Sequence, residues 1–114
     1  MGFNVSFEES EGVHVVKTPE RIDAGNSQAL KDVIMEIVSK NFFKIVIDLS
    51  NTSFIDSSGL GALVSKISVC KNSGGDVRLV VTSKRIIEIL QITHLDKILK
   101  CFDSLKDALK SFRK

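Results

Sequence analysis

Asp48-Leu49-Ser50-Asn51-Thr52-Ser53-Phe54-Ile55-Asp56-Ser57-Ser58-Gly59-Leu60-Gly61 joins two segments of different hydrophobic period. Upstream, Ile45 to Leu49 is a short apolar run of the kind that forms a buried strand. Downstream, Leu60, Leu63, Val64, Ile67 and Cys70 recur at helical spacing, so Asp-Ser-Ser-Gly opens a helix expected to run from about Ser58 to Asn72. A hydroxyl at that opening lies beside unpaired backbone N–H groups and the positive end of the helix dipole, both of which favour negative charge. An exposed serine there is a good phosphate acceptor. Asp and Ser are also ordinary N-cap residues, and a purely structural cap is the plain alternative.

Nearer the N-terminus, Phe3, Val5 and Phe7, then Val13 and Val15, alternate around a Glu-Ser-Glu-Gly turn and read as a hairpin. Pro19 ends its second strand by removing a ladder donor. Gly25-Asn26-Ser27 supplies cap chemistry for a helix striped by Ala29, Leu30, Val33, Ile34, Ile37 and Val38, with Asn41 as its stop. Gly74-Gly75 ends the second helix, because glycine takes the left-handed conformation at little cost. Val77, Leu79, Val80 and Val81 form a strand, and Ser83 caps a helix carrying Ile86, Ile87, Ile89 and Leu90. Ile98 to Phe102 gives a last strand, after which Asp103 caps a helix with Leu105, Ala108, Leu109 and Phe112. Strand and helix alternate from Ile45 onward with short connections, which implies right-handed crossovers. The expected class is α/β: a mixed sheet, largely parallel after an N-terminal hairpin, with about four helices packed against it, in one domain over residues 1–114.

Composition narrows the function. The 114 residues are 43% apolar, enough for a core without disulfides or metals. The 16 basic and 14 acidic side chains nearly cancel and are scattered, and all seven aromatics are Phe, so neither a nucleic-acid groove nor a base-stacking surface is expected. Cys70 and Cys101 lie inside apolar patterns and read as two buried thiols in a reducing compartment. Two Cys and two His, widely separated, give no zinc spacing. No apolar run approaches a membrane span and no signal peptide is read, so the expected location is the cytoplasm. Met1-Gly2-Phe3-Asn4-Val5-Ser6 fits a loose myristoylation pattern, but strand alternation already accounts for these residues.

Several chemistries fail on residue pattern. Ser57 has Ile55 rather than Gly two residues before it, so Gly-x-Ser-x-Gly is half absent, and His14 (strand) and His94 (loop) have no local link to it. Asp48 ends a buried strand as a receiver-domain acceptor would, yet Pro19-Glu20-Arg21 offers no acidic pair to hold Mg²⁺. Asp48 is instead expected to bond backbone in the following loop. Gly59-x-Gly61 lacks both the Gly-Lys-Ser/Thr ending of a P-loop and the third glycine of a dinucleotide fingerprint. No cofactor, metal or catalytic residue is expected.

The stretch Phe54-Ile-Asp-Ser-Ser-Gly-Leu-Gly61 resembles the phosphorylation motif of bacterial STAS-domain anti-sigma-factor antagonists. The resemblance runs from about Val13 to Lys110 and takes in Ile22-Asp23-Ala24, Gly74-Gly75 and Thr93-His94-Leu95-Asp96-Lys97-Ile98. It implies that Ser57, the first serine of the pair, is phosphorylated, with Ser58 mainly a helix cap. It also implies a partner-binding surface of Asp23, Asp56, Ser57, Ser58 and Gly59. Asp23 taken alone reads as an Asx turn. The family often carries Gly three residues before this Asp, where Glu20 stands here, which puts the local loop shape in question. The implied partners are an anti-sigma factor serine kinase, which brings the ATP, and a serine phosphatase that restores the modified form. The chain itself would be a non-enzymatic, monomeric substrate that releases a sigma factor. A second reading is a non-phosphorylated STAS module in a signalling scaffold or a lipid-transport ATPase complex.

Overall fold

The computed structural model describes residues 2–113. Met1 and Lys114 lie outside them, so the first residue of the myristoylation pattern falls there. The remainder of that pattern runs into β1 (Asn4–Glu8), which pairs antiparallel with β2 (Val13–Lys17) to give the expected hairpin. The chain continues through β3 (Arg21–Ile22), α1 (Ser27–Ser39), β4 (Lys44–Asp48), β5 (Phe54–Ile55), α2 (Ser57–Val64) and α3 (Ile67–Asn72). It closes with β6 (Asp76–Val80), α4 (Lys84–Ile92), a 3-10 turn at Leu95–Lys97, β7 (Lys100–Phe102) and α5 (Leu105–Lys110). The main sheet has the order β1-β2-β4-β6-β7, and every pairing after the hairpin is parallel.

The apolar run of β4 is explained by burial on both faces. Ile45, Ile47 and Leu49 join Val77, Leu79 and Val81 beneath α1 to α4, where Leu30, Ile34, Leu63, Cys70, Ile86 and Leu90 complete the larger core. Val46 points the other way and packs with Val13, Val15, Val80 and Ala108 under α5. Between α3 and β6, Gly74 takes φ +85°, as a helix C′ residue must, and a Cβ on Gly75 would overlap the Phe43 carbonyl. Asn41 ends α1 at φ +68°.

Four expectations are corrected. The single helix from Ser58 to Asn72 is two, because the Ser65 hydroxyl and amide both turn back to the Ala62 carbonyl (2.9 and 3.3 Å) and Lys66 leaves helical geometry at φ −124°. Ile67 and Cys70 of α3 are buried in the core. Ser104, not Asp103, caps α5. Its extended backbone sets Oγ to accept from the Asp107 amide at 3.1 Å, and Asp103 stands one residue too early. The last strand begins at Lys100 because Leu95–Lys97 coils into the 3-10 turn, leaving Ile98 exposed. Cys70 is buried, but Cys101 is exposed. It pairs with Leu79 in the sheet, but β7 is an edge strand, and Cys101 opens onto a recess beside Ile87, Leu90 and Gln91 of α4.

Candidate functional site

The two loops singled out from sequence are brought together by a feature that sequence did not signal. β3 and β5 form a separate two-stranded parallel sheet with Arg21 opposite Phe54 and Ile22 opposite Ile55. The Asp56 amide extends the ladder to the Ile22 carbonyl at 3.1 Å. The chain therefore leaves β3 into the Asp23 loop and leaves β5 into the Asp56-Ser57 loop side by side. Two-residue strands carry too little pattern to be read from sequence. Ile22 and Ile55, both buried, are their trace.

A polar lattice holds the mini-sheet to the main sheet. The Thr18 hydroxyl donates to the Asp48 carbonyl at 3.1 Å and lies 2.6 Å from the Thr52 hydroxyl, which also reaches the Pro19 carbonyl at 2.6 Å. The Glu20 carbonyl accepts from the Ser53 and Phe54 amides, and its carboxylate accepts from the Ser53 hydroxyl. Glu20, standing where the family often has Gly, thus ties the loop before Asp23 to the loop before Ser57. The Arg21 guanidinium lies 4.0 Å over the Phe54 ring and 3.3 Å from Asp23. Asp48 bonds the following loop as expected, its Oδ1 accepting from the Ser50 amide at 3.0 Å. His94 is an exposed loop residue at φ +62°.

Asp23 makes the Asx turn, Oδ1 accepting from the Gly25 amide at 2.9 Å. Asn26 precedes α1 but does not cap it with its side chain. That side chain turns back to accept from the Asp23 amide and donate to the Arg21 carbonyl, fixing the loop instead. Across from it, Asp56 rather than Ser58 is the N-cap of α2. Its Oδ1 accepts from the Gly59 amide at 3.0 Å and from the Ser58 hydroxyl at 2.6 Å. The cap position is extended (φ −104°, ψ −174°), as capping geometry requires, whereas Ser58 already lies within the helix. The hydrogen bond from Ser58 holds the Asp56 carboxyl below its ordinary range. The Gly59 amide adds to this, partial burial opposes it, and the Ser58 and Ala24 amides contribute further. The Ala24 amide belongs to the Asp23 loop, so that loop also favours the ionised Asp56.

Ser57 is the exposed first residue of α2, and no hydrogen bond among the described residues engages its hydroxyl. Ser58 is half-buried and committed to Asp56. Gly59 is buried because a Cβ there would sit 2.6 Å from Ile55 Cγ1 and 2.8 Å from Ile22 Cγ2. The glycine lets the helix start press directly on the mini-sheet, which presents Ser57 outward.

The model of the STAS domain matches residues 4–108 of the chain. The chain belongs to the STAS-domain family. Its curated relatives are regulators: the anti-sigma-F factor antagonist RsfB of Mycobacterium tuberculosis is 34% identical over 112 residues, covering 96% of this chain and 88% of that protein. The anti-sigma-B factor antagonist of Bacillus subtilis is 28% identical over 99 residues, covering 87% and 90%. Among solved structures, an anti-sigma factor antagonist from Mycobacterium paratuberculosis superposes with a TM-score of 0.85 at 28% identity, covering 99% of this chain and 96% of that one. The STAS fold agrees with the mixed sheet expected from sequence. No helix among the described residues is long and apolar enough to cross a membrane.

Proposed function

We propose that this STAS domain, spanning residues 1–114, is an anti-sigma-factor antagonist. It acts in the cytoplasm, is a monomer when free, and binds an anti-sigma factor serine kinase through Asp23, Asp56, Ser57, Ser58 and Gly59. Binding releases a sigma factor, phosphorylation of Ser57 by the kinase ends the complex, and a serine phosphatase restores the active form. The names of the relatives support the regulatory role. The observation that carries the residue assignment is the contrast between the serines. The Ser57 hydroxyl is exposed and unengaged, whereas that of Ser58 is spent on the capping carboxylate at 2.6 Å.

The switch follows from charge. A phosphate adds about −1.5 to −2 charges one residue from Asp56, which is itself held ionised. Closing a protein interface over that group without a cationic partner costs several kcal/mol, while the start of a helix returns only about 0.3–1 kcal/mol. Desolvation wins, so affinity for the kinase falls by about two orders of magnitude or more. The site needs no nucleotide of its own, because ATP arrives with the kinase. Incubation with that kinase and ATP, followed by mapping by mass spectrometry, is expected to find the phosphate on Ser57. Phosphate on Ser58 with Ser57 intact would overturn the assignment.

A further inference from the structure

The two edges of the main sheet differ. β7 is three residues long and carries an exposed Lys100, one of the ordinary protections of an edge strand. β1 carries only the charge of Glu8 at its end. It is five residues long, contains no Lys, Pro or irregular pairing, and is paired in unbroken register on one side only. Its backbone is therefore an open template. On the α1 side Val5 is 47% and Phe7 42% exposed.

What fits this edge is set by its own order of residues. We propose that β1 pairs antiparallel with β1 of a second copy of the chain, about a two-fold axis through Ser6. In that register Val5 meets Phe7 of the other copy on one face, twice over, so the half-exposed apolar side chains cover each other. On the opposite face Ser6 meets Ser6 and each Glu8 meets Asn4. No like charges are opposed, and Lys17, which pairs with Asn4 inside each subunit, stands next in line to each Glu8. A strand that places apolar on apolar and acid on amide when turned against itself is self-complementary, as an isologous interface must be. The contact closes after two copies, and the sheet becomes ten strands, five from each.

One strand pair is a small interface, so association is weak and the chain stays monomeric at low micromolar concentration. Asp23, Asp56 and Ser57 lie outside β1, so pairing does not depend on the phosphorylation reading, and Ser57→Ala dimerises as the parent does.

Sedimentation equilibrium of the full chain from about 10 μM to about 1 mM tests this, the range in which small interfaces associate. The mass is expected to climb toward twice that of the chain. Ser6→Lys, which sets two cations together on the axis, is expected to raise the dissociation constant at least about tenfold. A directly opposed antiparallel pair lies within disulfide reach, so Ser6→Cys in a Cys101→Ser background cross-links under mild oxidation. Asn4→Cys in the same background faces Glu8 and does not. A monomer mass throughout, with Ser6→Cys linking no faster than Asn4→Cys, overturns the proposal. So does a dimer that Ser6→Lys leaves unchanged. Should Ser6→Lys fail to fold, the two cysteine variants decide the register.

Discussion

A serine can be removed from the start of α2 at little cost to the fold, because Asp56 and not Ser57 supplies the cap. Ser57→Ala therefore folds normally and, if charge and desolvation drive the switch, keeps near-normal affinity for the kinase. Ser57→Asp brings about one charge and two acceptor oxygens, against the larger charge of phosphate, and reproduces the loss of binding only in part. Titration of all three forms against the anti-sigma factor, with circular dichroism as the fold control, checks the pair. Equal binding by Ser57→Asp and the parent would mean that charge is insufficient. Equal loss in Ser57→Ala would make the hydroxyl itself a contact. At this scale the sequence was legible where chemistry is local. Asp23 makes its Asx turn and Asp48 bonds its own loop, since both partners lie two residues away. The division of labour between Ser57 and Ser58 was not legible as a cap assignment. It turns on Asp56 being the extended residue while Ser57 and Ser58 are both already helical, a boundary that residue type does not encode.

The elements were legible in proportion to their length. β4 and α1 announce themselves through runs and stripes, and the hairpin through alternation, whereas β3 and β5 are too short for any period. The break between α2 and α3 escaped because Leu60 to Cys70 keeps helical spacing across it, and the cause is a hydroxyl competing for one carbonyl. The hairpin also carries a consequence that alternation does not show. His14 of β2 faces the α1 side, its ring 4.7 Å from both Phe7 and Phe42, and its Nδ1 is buried with no partner. Burial lowers its pKa from the ordinary 6.5, and the Lys40 ammonium lowers it further; Glu36, 3.7 Å from Lys40, is the other charge lining that recess. The unfolded chain then takes up a proton near pH 6.5 that the folded chain still refuses. Below that pH unfolding is favoured by proton uptake, so stability falls as the solution is acidified through the unfolded value and is restored at neutral pH. Urea unfolding at intervals from about pH 5 to about pH 8 is expected to show this slope, and His14→Phe to flatten it, because His carries the only ordinary side-chain titration in that window. An unchanged slope in the variant would assign it to other groups.

Across the whole molecule the sheet is covered unequally, and the weaker side depends on a clamp. Four helices bury one face, while α5, six residues long, seals Val13, Val15, Val46 and Val80 with Ala108 and the partly buried Leu105, Leu109 and Phe112. So short a helix is not stable by itself. Arg78, in β6, compensates. Its guanidinium donates to the Ser111 carbonyl and hydroxyl, both at 2.7 Å, lies 4.1 Å over the Phe112 ring, and pairs with Asp76 at 3.0 Å. Glu11, in the hairpin turn, holds Arg113 at 2.7 Å and fastens the far end. Arg78 and Asp76 are 13% and 9% exposed, so this pair is not a surface ion pair of negligible worth. Arg78→Ala strips α5 of its anchor and leaves Asp76 buried and uncompensated, and a change of that kind costs about 3–5 kcal/mol. Chemical denaturation is expected to show the loss, and hydrogen exchange to show amide protection falling first in α5. Arg78→Ala combined with Asp76→Asn should regain part of the stability by removing the stranded charge, without restoring protection to α5. The Ser57 loop stands on the mini-sheet rather than under α5. Phosphorylation of Ser57 in Arg78→Ala, at a temperature where the variant remains folded, should therefore match the parent. Loss of labelling in a folded Arg78→Ala would show that the two faces of the sheet are coupled.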